Sequence, residues 1–188
     1  RQMCIRDSII RMKGQKMDGS IQVYYGNGRG KTTAALGLGI RAAGVGKQVI
    51  MVQFLKKKHS DTLDFLKKLE PELQIFRFEK AACGYSDLSP KEKQEQMLNI
   101  KNALGYSRKV LDTGQCDLLI LDEIFGLVDY NIITIEELMD LIAVKKDSMD
   151  LILTGRNLPD EVREIADCVY SIQREKEKTP EILAQGNF

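Results

Sequence analysis

The chain has 188 residues, of which 43% are hydrophobic and 29% charged, with 28 lysines and arginines against 27 acidic residues. This length and composition predict one soluble globular domain. With a net charge of +1, the chain has no overall electrostatic field that would attract it to nucleic acid or to an anionic membrane. Its apolar runs are far shorter than the roughly 20 residues that cross a bilayer, so no membrane segment is expected.

The first residues do not fit the pattern of the rest. Arg1–Ser8 begins without a methionine, and we expect residues 1–19 to be an N-terminal extension that is partly non-native. Residues 20–175 are predicted to form the domain and residues 176–188 a C-terminal tail. No secretory leader is recognised, so the four cysteines are expected to be reduced thiols in a cytoplasmic protein.

From Ser20 onward, short β-rich runs alternate with longer helical ones. The predicted strands are Ile21–Tyr25, Gln48–Phe54, Leu73–Phe78, Asp117–Leu121, Asp150–Leu153 and Cys168–Ile172. Several of them are almost unbroken apolar runs, which is typical of strands covered on both faces of a parallel sheet.

Helix start signals lie between these strands. Ser89 followed by Pro90 and Glu92 forms a capping box with proline at the first helical position. The expected helices run from Ser89 to about Asp112, from Thr134 to about Lys145, and from Asn157 to about Ala166. Because strands and helices alternate, we predict a three-layer α/β fold with a mostly parallel sheet.

A glycine-rich loop follows the first predicted strand and leads into a helix; it reads Gly26, Asn27, Gly28, Arg29, Gly30, Lys31, Thr32 and Thr33. Its glycines allow the backbone to approach a phosphate closely, and successive N–H groups can bind the anion at the N-terminus of the helix. Lys31 would place its ammonium on a phosphate oxygen, and the Thr32 hydroxyl can bind Mg²⁺. The plainer alternative is a turn that only caps the helix.

This loop is shorter than the usual G-x-x-x-x-G-K-[ST] pattern, because Tyr25 stands where that pattern has its first glycine. Because of this difference in the loop, the nucleotide could be bound in a different direction from that in an ordinary NTPase.

Two carboxylates follow a later apolar strand, at the strand end where open α/β sheets bind ligands. Asp122 would hold Mg²⁺ directly or through water, while Glu123 would do the same or orient a reacting group. Mn²⁺ could replace Mg²⁺ at oxygen ligands of this kind. Arg156, after the next strand, is a candidate phosphate contact or a surface ion pair, and spacing alone leaves the role of Arg41 open.

Several longer motifs occur in a fixed order: GNGRGKTTAALG at 26–37, RAAGVGKQV at 41–49, VQFLK at 52–56, LLILDEI at 118–124, VDYNIITIEEL at 128–138 and LTGRNLPDEVREIADCV at 153–169. In these motifs the chain resembles the ATP:corrinoid adenosyltransferases of the CobA/CobO/BtuR type, from about Val23 to about Ser171. The resemblance implies a RecA-like P-loop fold, a homodimer and a flavodoxin-like or other flavin reductant as partner.

The activity implied by the resemblance is transfer of the 5′-deoxyadenosyl group of ATP to the cobalt of a reduced corrinoid, cob(I)alamin or cob(I)yrinic acid a,c-diamide, with release of triphosphate. This reaction belongs to adenosylcobalamin biosynthesis or salvage. Matched by position, Thr33 and Arg41 are expected near the phosphates, and Asp122 and Glu123 on the metal side.

Two stretches depart from the family pattern. A Gly-Phe-x-Trp segment that is thought to ease reduction of the cobalt is here Gly84-Tyr85-Ser86-Asp87, so Tyr85 can take only the first aromatic role; the alternative is a half-buried loop aromatic. The tail at 176–188 is also shortened. Two other functions therefore stay open: a P-loop kinase or NTPase that cleaves the β–γ bond, and a non-catalytic module that binds a nucleotide or a corrinoid.

Overall fold

The computed structural model describes residues 19–56, 66–78 and 88–176. Within these ranges six strands form one sheet: β1 (Ile21–Tyr25), β2 (Val49–Gln53), β3 (Leu73–Arg77), β4 (Leu118–Asp122), β5 (Asp150–Gly155) and β6 (Cys168–Ser171). Every predicted strand is present, with ends that differ from the prediction by at most two residues.

The helices are α1 (Lys31–Ala43), α2 (Pro90–Thr113), α3 (Ile124–Asp129), α4 (Ile135–Ala143) and α5 (Asp160–Ile165), with a 3-10 turn at Lys67–Leu69. The predicted helices are confirmed, whereas the six-residue α3 and the 3-10 turn were not predicted. None of the helices in residues 19–56, 66–78 and 88–176 is long and apolar enough to cross a membrane.

The predicted cap of α2 forms as the local sequence indicates. The backbone N–H of Ser89 donates to the Glu92 carboxylate at 2.9 Å, and the backbone N–H of Glu92 donates to the Ser89 hydroxyl oxygen at 3.4 Å. Hydrogen bonds to the ionised carboxylate lower the pKa of Glu92. The start of α2 is thus set by residues three apart in the chain, which is why its sequence signal is reliable.

All the strand pairs are parallel, and the strand order is β3-β2-β4-β5-β1-β6. The chain leaves β1, crosses the sheet through α1, and re-enters at β2, which lies beyond β5 and β4. The carboxyl ends of these strands therefore meet at one edge, where Gln53 pairs with Asp122 and Tyr25 pairs with Gly155.

Two apolar layers cover the sheet. On one face, α1 packs through Ala35 against a cluster that includes Met51 and Ile120. On the other face, α2, α3, α4 and α5 pack against a larger cluster that includes Val52 and Leu121. Each aliphatic side chain buried in these clusters contributes about 1.5–3 kcal/mol. The three-layer α/β prediction is confirmed, and both faces of β2 and β4 are buried as their apolar runs indicated.

Two cysteines lie in the described part of the chain, and both are free thiols. Burial raises the pKa of Cys116 to about 12, so its thiol stays protonated at neutral pH. Neither Cys116 nor Cys168 lines the cavity described below.

Candidate functional site

The loop between β1 and α1 is held from behind by the segments that follow β5 and β6. The N–H of Gly26 donates to the carbonyl of Arg156 at 3.0 Å, and the N–H of Gly28 donates to the carbonyl of Ile172 at 2.9 Å. A side chain on either glycine would run into the Ile172 carbonyl, and Gly26 has a φ of 117°. Glycine is therefore required at both positions for this packing.

The same packing corrects the predicted set of anion donors. Gly26 and Gly28 use their N–H groups in the framework of the loop, so they do not join a continuous row of donors to a phosphate. The first N–H groups of α1 have no partner within the helix, and the positive end of its dipole lies at Gly30 and Lys31. The donors that the loop offers to an anion are therefore concentrated in the first turn of α1.

Lys31 closes the loop over its own backbone. Its Nζ donates to the carbonyl of Gly26 at 2.6 Å and to the carbonyl of Gly28 at 3.0 Å, and the residue is 9% exposed. Burial lowers the pKa of Lys31, the Glu123 carboxylate opposes that shift, and Arg156 reinforces it. Within the described residues the hydrogen bonds of Lys31 go to carbonyl oxygens, and a buried ammonium held in this way is a strong attractor for a phosphate.

Asp122, at the end of β4, is completely buried and accepts hydrogen bonds from three directions. The Thr32 hydroxyl lies 2.9 Å and 3.1 Å from its two carboxylate oxygens, the Thr154 hydroxyl donates to it at 2.8 Å, and the Gln53 amide donates to it at 3.0 Å. The Lys56 ammonium lies 3.6 Å from Oδ2. These contacts fix the carboxylate in one orientation and connect it to the loop through Thr32.

The network continues across the sheet to β3. The Nε of Arg77 donates to the side-chain oxygen of Gln53 at 2.6 Å, and Gln53 pairs in register with both Arg77 and Asp122. The amide of Gln53 is thereby oriented with its NH₂ toward Asp122. Gln53, Lys56 and Arg77 were given no role from the sequence. Gln53 and Lys56 stand in the VQFLK motif at 52–56, and Gln53 and Arg77 are polar residues at the ends of their apolar strands.

Glu123 adopts an unusual backbone conformation between β4 and α3. Its φ is 62°, a left-handed value that costs a non-glycine residue about 1–2 kcal/mol, and its N–H donates to the Thr154 hydroxyl at 2.8 Å. The turn places Glu123 on the wall of the cavity while Asp122 stays beneath it. Strain of this kind is common at functional sites.

An open cavity of about 900 Å³ lies at this edge of the sheet, between the phosphate loop and α3. Two acidic side chains line it, Glu123 and Asp129, together with five basic ones: Arg29, Lys31, Lys56, Arg156 and Arg174. The excess of basic groups makes the cavity suited to a polyanionic ligand that also carries a metal ion.

Most of the predicted ligand-binding residues lie together on this cavity. They are Asn27, Gly28, Arg29, Gly30, Lys31, Thr32, Thr33, Glu123 and Arg156. Asp122 reaches the cavity through Thr32, and Gly26 supports the loop from behind. Tyr85 lies outside the described residues.

Arg41 is the exception, because the structure places it away from the loop. It lies in the last turn of α1, exposed, ten residues beyond Lys31. At 1.5 Å per residue the two Cα atoms are separated by about 15 Å along the helix axis. Arg41 does not line the cavity, so the expectation that it contacts the phosphates is not met within this chain.

The wall opposite the loop was not predicted. Asp129 and Tyr130, at the end of α3, line it together with Asn157, whose amide donates to the Asp129 carboxylate at 2.9 Å. Leu55 and Gly126 complete this side. These residues were missed because α3 itself carries no capping signal.

The oxygen atoms around Thr32 fit a hard divalent cation. The Thr32 hydroxyl and the carboxylates of Asp122 and Glu123 are ligands that Mg²⁺ prefers, and Mn²⁺ accepts the same set. No group of three or more His, Cys, Asp or Glu side chains in the described ranges is arranged to hold a metal ion. A metal ion here would therefore take much of its coordination from phosphate oxygens and water.

Comparison with known proteins gives a consistent result. Residues 17–185 match the sequence model of the family described as ATP:corrinoid adenosyltransferase BtuR/CobO/CobP. This range includes the loop, the acidic pair Asp122 and Glu123 at the end of β4, and the segment after β5.

Curated relatives carry the same kind of name. The chain is 29% identical over 175 residues to the corrinoid adenosyltransferase of Escherichia coli K12, covering 92% of this chain and 87% of that protein. It is equally similar, over the same shares, to the corrinoid adenosyltransferase CobA of Salmonella typhimurium. A corrinoid adenosyltransferase of Pseudomonas aeruginosa is 24% identical, over 80% of this chain and 73% of its own.

Among solved structures, a KaiC-like protein of the archaeon Pyrococcus horikoshii superposes with a TM-score of 0.57. It is 19% identical and covers 86% of this chain and 75% of its own. This likeness concerns the fold alone, and it agrees with a P-loop NTPase architecture.

Proposed function

Because this chain belongs to the ATP:corrinoid adenosyltransferase family, we propose that the cavity between the phosphate loop and α3 is its ATP site. The chain is an enzyme that transfers the adenosyl group of ATP to a corrinoid, a function that fits cobalamin metabolism. The observation that carries the site assignment is that five basic side chains line the cavity into which the first turn of α1 opens.

The proposed reaction requires little proton transfer by the protein. The electron pair of cobalt(I) in the reduced corrinoid forms a bond to C5′ of ATP, while the C5′–O bond breaks and its electron pair stays on the departing triphosphate. The nucleophile carries no proton, so a general base is not needed. The contribution of the protein is to hold ATP and to stabilise the charge that grows on the triphosphate.

We assign to Lys31 the role of stabilising the negative charge that grows on the triphosphate. Its ammonium already lies inside the loop, beside the first turn of α1, and a triphosphate oxygen can replace the carbonyls of Gly26 and Gly28 as its acceptor. Arg156 and Arg29 line the same cavity and add positive charge. Because these groups are in place before ATP binds, little reorganisation is required during the reaction.

Asn27, Gly30 and Thr33 are proposed to contact the triphosphate through the backbone or hydroxyl groups that border the cavity. Gly28 shapes the loop floor, and Gly26 is proposed to contribute only through the packing of the loop.

We propose Mg²⁺, with Mn²⁺ as a substitute, as the metal that accompanies ATP. Thr32, Asp122 and Glu123 would hold it, Asp122 through the Thr32 hydroxyl or a water because it is fully buried. When bound, the metal ion neutralises part of the phosphate charge. Thr32 is oriented for this role by its hydrogen bonds to Asp122.

Several expectations from the family resemblance stay predictions. They are the homodimer, the cytoplasmic location, the flavodoxin-like or other flavin reductant, the contribution of Tyr85 to corrinoid activation, and the extent of the catalytic domain at residues 20–175.

An anaerobic reaction of the protein with Mg-ATP and chemically reduced cob(I)alamin tests the proposal. We expect a light-sensitive adenosylcobalamin spectrum and one equivalent of triphosphate for each cobalt–carbon bond formed. Formation of ADP without a cobalt–carbon bond would instead indicate cleavage at the β–γ bond. Tight ATP binding without either product would indicate a binding module.

A further inference from the structure

Lys56 lies at the entrance to the buried carboxylate of Asp122, on the segment that leaves β2. Its Nζ lies 3.1 Å from the Thr32 hydroxyl oxygen and 3.6 Å from Oδ2 of Asp122. The Lys56 side chain is 30% exposed, whereas that of Asp122 is 0% exposed. The lysine therefore joins the cavity to a charge that solvent does not reach.

The direction of these hydrogen bonds follows from the chemistry of the groups. An ammonium can only donate, so the Thr32 oxygen accepts from Lys56, and the single hydroxyl hydrogen of Thr32 is directed to Asp122. A divalent metal ion on Thr32 would impose the same arrangement, with a cation on the oxygen lone pair and the proton toward the carboxylate. Lys56 thus reproduces the contacts of a bound cation.

The buried carboxylate also needs a positive partner. A buried charge without a counter-charge is strongly destabilising, even when it is hydrogen-bonded. Lys31 directs its ammonium to the carbonyls of Gly26 and Gly28, while within the described ranges the salt bridge of Asp122 is with Lys56.

We infer that Lys56 is a tethered cation that takes the place of the metal ion at Thr32 and Asp122 in the nucleotide-free enzyme, and that it moves to the triphosphate when the metal-nucleotide complex binds. The inference rests on the metal role of Thr32 and Asp122 in the proposed function. Lys56 lines the cavity, so its ammonium stays within the same site after it leaves Thr32.

This arrangement couples metal binding to triphosphate binding. Without a phosphate ligand, a metal ion must compete with an attached ammonium for Thr32 and Asp122, so it binds weakly. A triphosphate attracts Lys56 and removes the competitor, so each ligand strengthens the binding of the other. By thermodynamic linkage the two enhancements are equal, and couplings of this kind are typically about 5–150-fold.

Mn²⁺ binding measured by electron paramagnetic resonance tests the inference without any corrinoid. The affinity for Mn²⁺ is measured with and without inorganic triphosphate in the wild type, Lys56→Met and Lys56→Arg. The affinity for triphosphate alone is measured by calorimetry. Lys47→Met is the matched control, because Lys47 forms a salt bridge with Asp150 at 2.9 Å and does not line the cavity.

We expect Lys56→Met to bind Mn²⁺ alone about tenfold more tightly than the wild type, within the usual range of couplings between sites. It should also bind triphosphate more weakly, because one cation is lost. Lys56→Arg and Lys47→Met should behave like the wild type. If Lys56→Met does not fold, Lys56→Gln retains an N–H donor for Thr32 without the charge and should show the same changes.

Two results would overturn the inference, and they differ in what else they overturn. If the wild type binds Mn²⁺ with triphosphate but neither uncharged variant gains affinity for Mn²⁺ alone, Lys56 does not compete with the metal, and the proposed metal site survives. If neither the wild type nor any variant binds Mn²⁺ in the presence of triphosphate, the proposed metal site is wrong, and the inference is wrong with it.

Discussion

The two sides of the cavity are built by different means. The loop side consists of backbone groups, the side chains of Arg29 and Lys31, and the start of α1, all within eight consecutive residues from Gly26 to Thr33. The strand side consists of side chains at one level of the sheet: Arg77, Gln53, Asp122 and Thr154, from four adjacent strands. One side is local in the chain, and the other exists only when the sheet has formed.

This difference affects how each side tolerates change. The loop side depends on glycine conformations and on the charges of Arg29 and Lys31, so substitutions there should weaken ATP binding and lower the reaction rate. The strand side is a buried polar network whose side chains hydrogen-bond to one another, so substitutions there should lower the stability of the fold as well. Thr32 connects the two sides through Asp122.

The largest effect is expected from Lys31→Ala. The variant removes the ammonium from the loop, and loss of one preorganised charge donor costs about 100–1000-fold in turnover. The melting temperature should change little by comparison, because burial already disfavours the charged form of this lysine. Steady-state kinetics of adenosylcobalamin formation and calorimetric melting provide the two measurements.

Lys47→Ala is the control for that prediction. Its salt bridge with Asp150 is partly exposed and lies at the start of β5, the opposite end of that strand from the loop, so the variant should lose less than about 1 kcal/mol and keep its activity. Near-normal turnover of Lys31→Ala would refute the assignment of the triphosphate to the loop.

Gly155→Ala should damage the junction between the two sides. Gly155 pairs with Tyr25 just before the loop, and a Cβ at this position would overlap Phe125 of α3. Overpacking of this kind costs about 1–3 kcal/mol. We expect a lower free energy of unfolding in urea together with weaker ATP binding.

The matched control is Gly105→Ala, on the exposed surface of α2. A Cβ there meets open space, and alanine favours a helix over glycine by about 0.8–1 kcal/mol, so this variant should be stabilised. Destabilisation of both variants to the same extent would mean that contact with Phe125 is not the cause.

Gln53→Leu tests the strand side. The variant removes the donor to Asp122 and the acceptor for Arg77, and a buried polar group left without its partner costs about 1–3 kcal/mol. Turnover should fall as well, because Asp122 loses part of its orientation. Gln74→Leu is the control: Gln74 is a half-buried residue of the same sheet that does not contact Asp122, its amide donates to the Pro71 carbonyl at 3.4 Å, and the variant should change both quantities much less.

A smaller effect is expected in the pH dependence of ATP binding. Burial lowers the pKa of Lys31 below its ordinary value of 10.5, so the ammonium is lost at a lower pH than in an exposed lysine. ATP affinity should therefore be full below the shifted pKa and fall as the pH rises through it. The sign for stability is opposite: the folded state is penalised while Lys31 is charged, and the penalty disappears as the pH rises toward 10.5.

The variant Lys31→Arg distinguishes the titration of Lys31 from that of other groups, because the arginine guanidinium stays charged over the whole pH range. Calorimetric ATP binding, measured as the pH rises toward 10.5, should show the decline in the wild type and not in the arginine variant. The same decline in both proteins would assign the titration to another group.

The elements predicted most accurately from the sequence are those whose signal is local. The strands and capped helices were placed to within about two residues, since apolar runs and capping boxes act between near neighbours. The helix α3 was missed because it is only six residues long and starts from Glu123 in a left-handed conformation without a side-chain cap. Arg41 was expected near the phosphates from a motif match, whereas in this chain it lies in the last turn of α1, away from the loop.

The class of fold, the loop that follows β1 and the acidic pair at the end of β4 could be predicted from the sequence, because each is written in consecutive residues with a fixed local geometry. By contrast, it is the assembled fold that brings Gln53, Lys56 and Arg77 to the site. Their role depends on β2 lying between β3 and β4, an order that differs from the order of the chain. Local forces set the elements, whereas the pairing of distant strands selects which side chains meet.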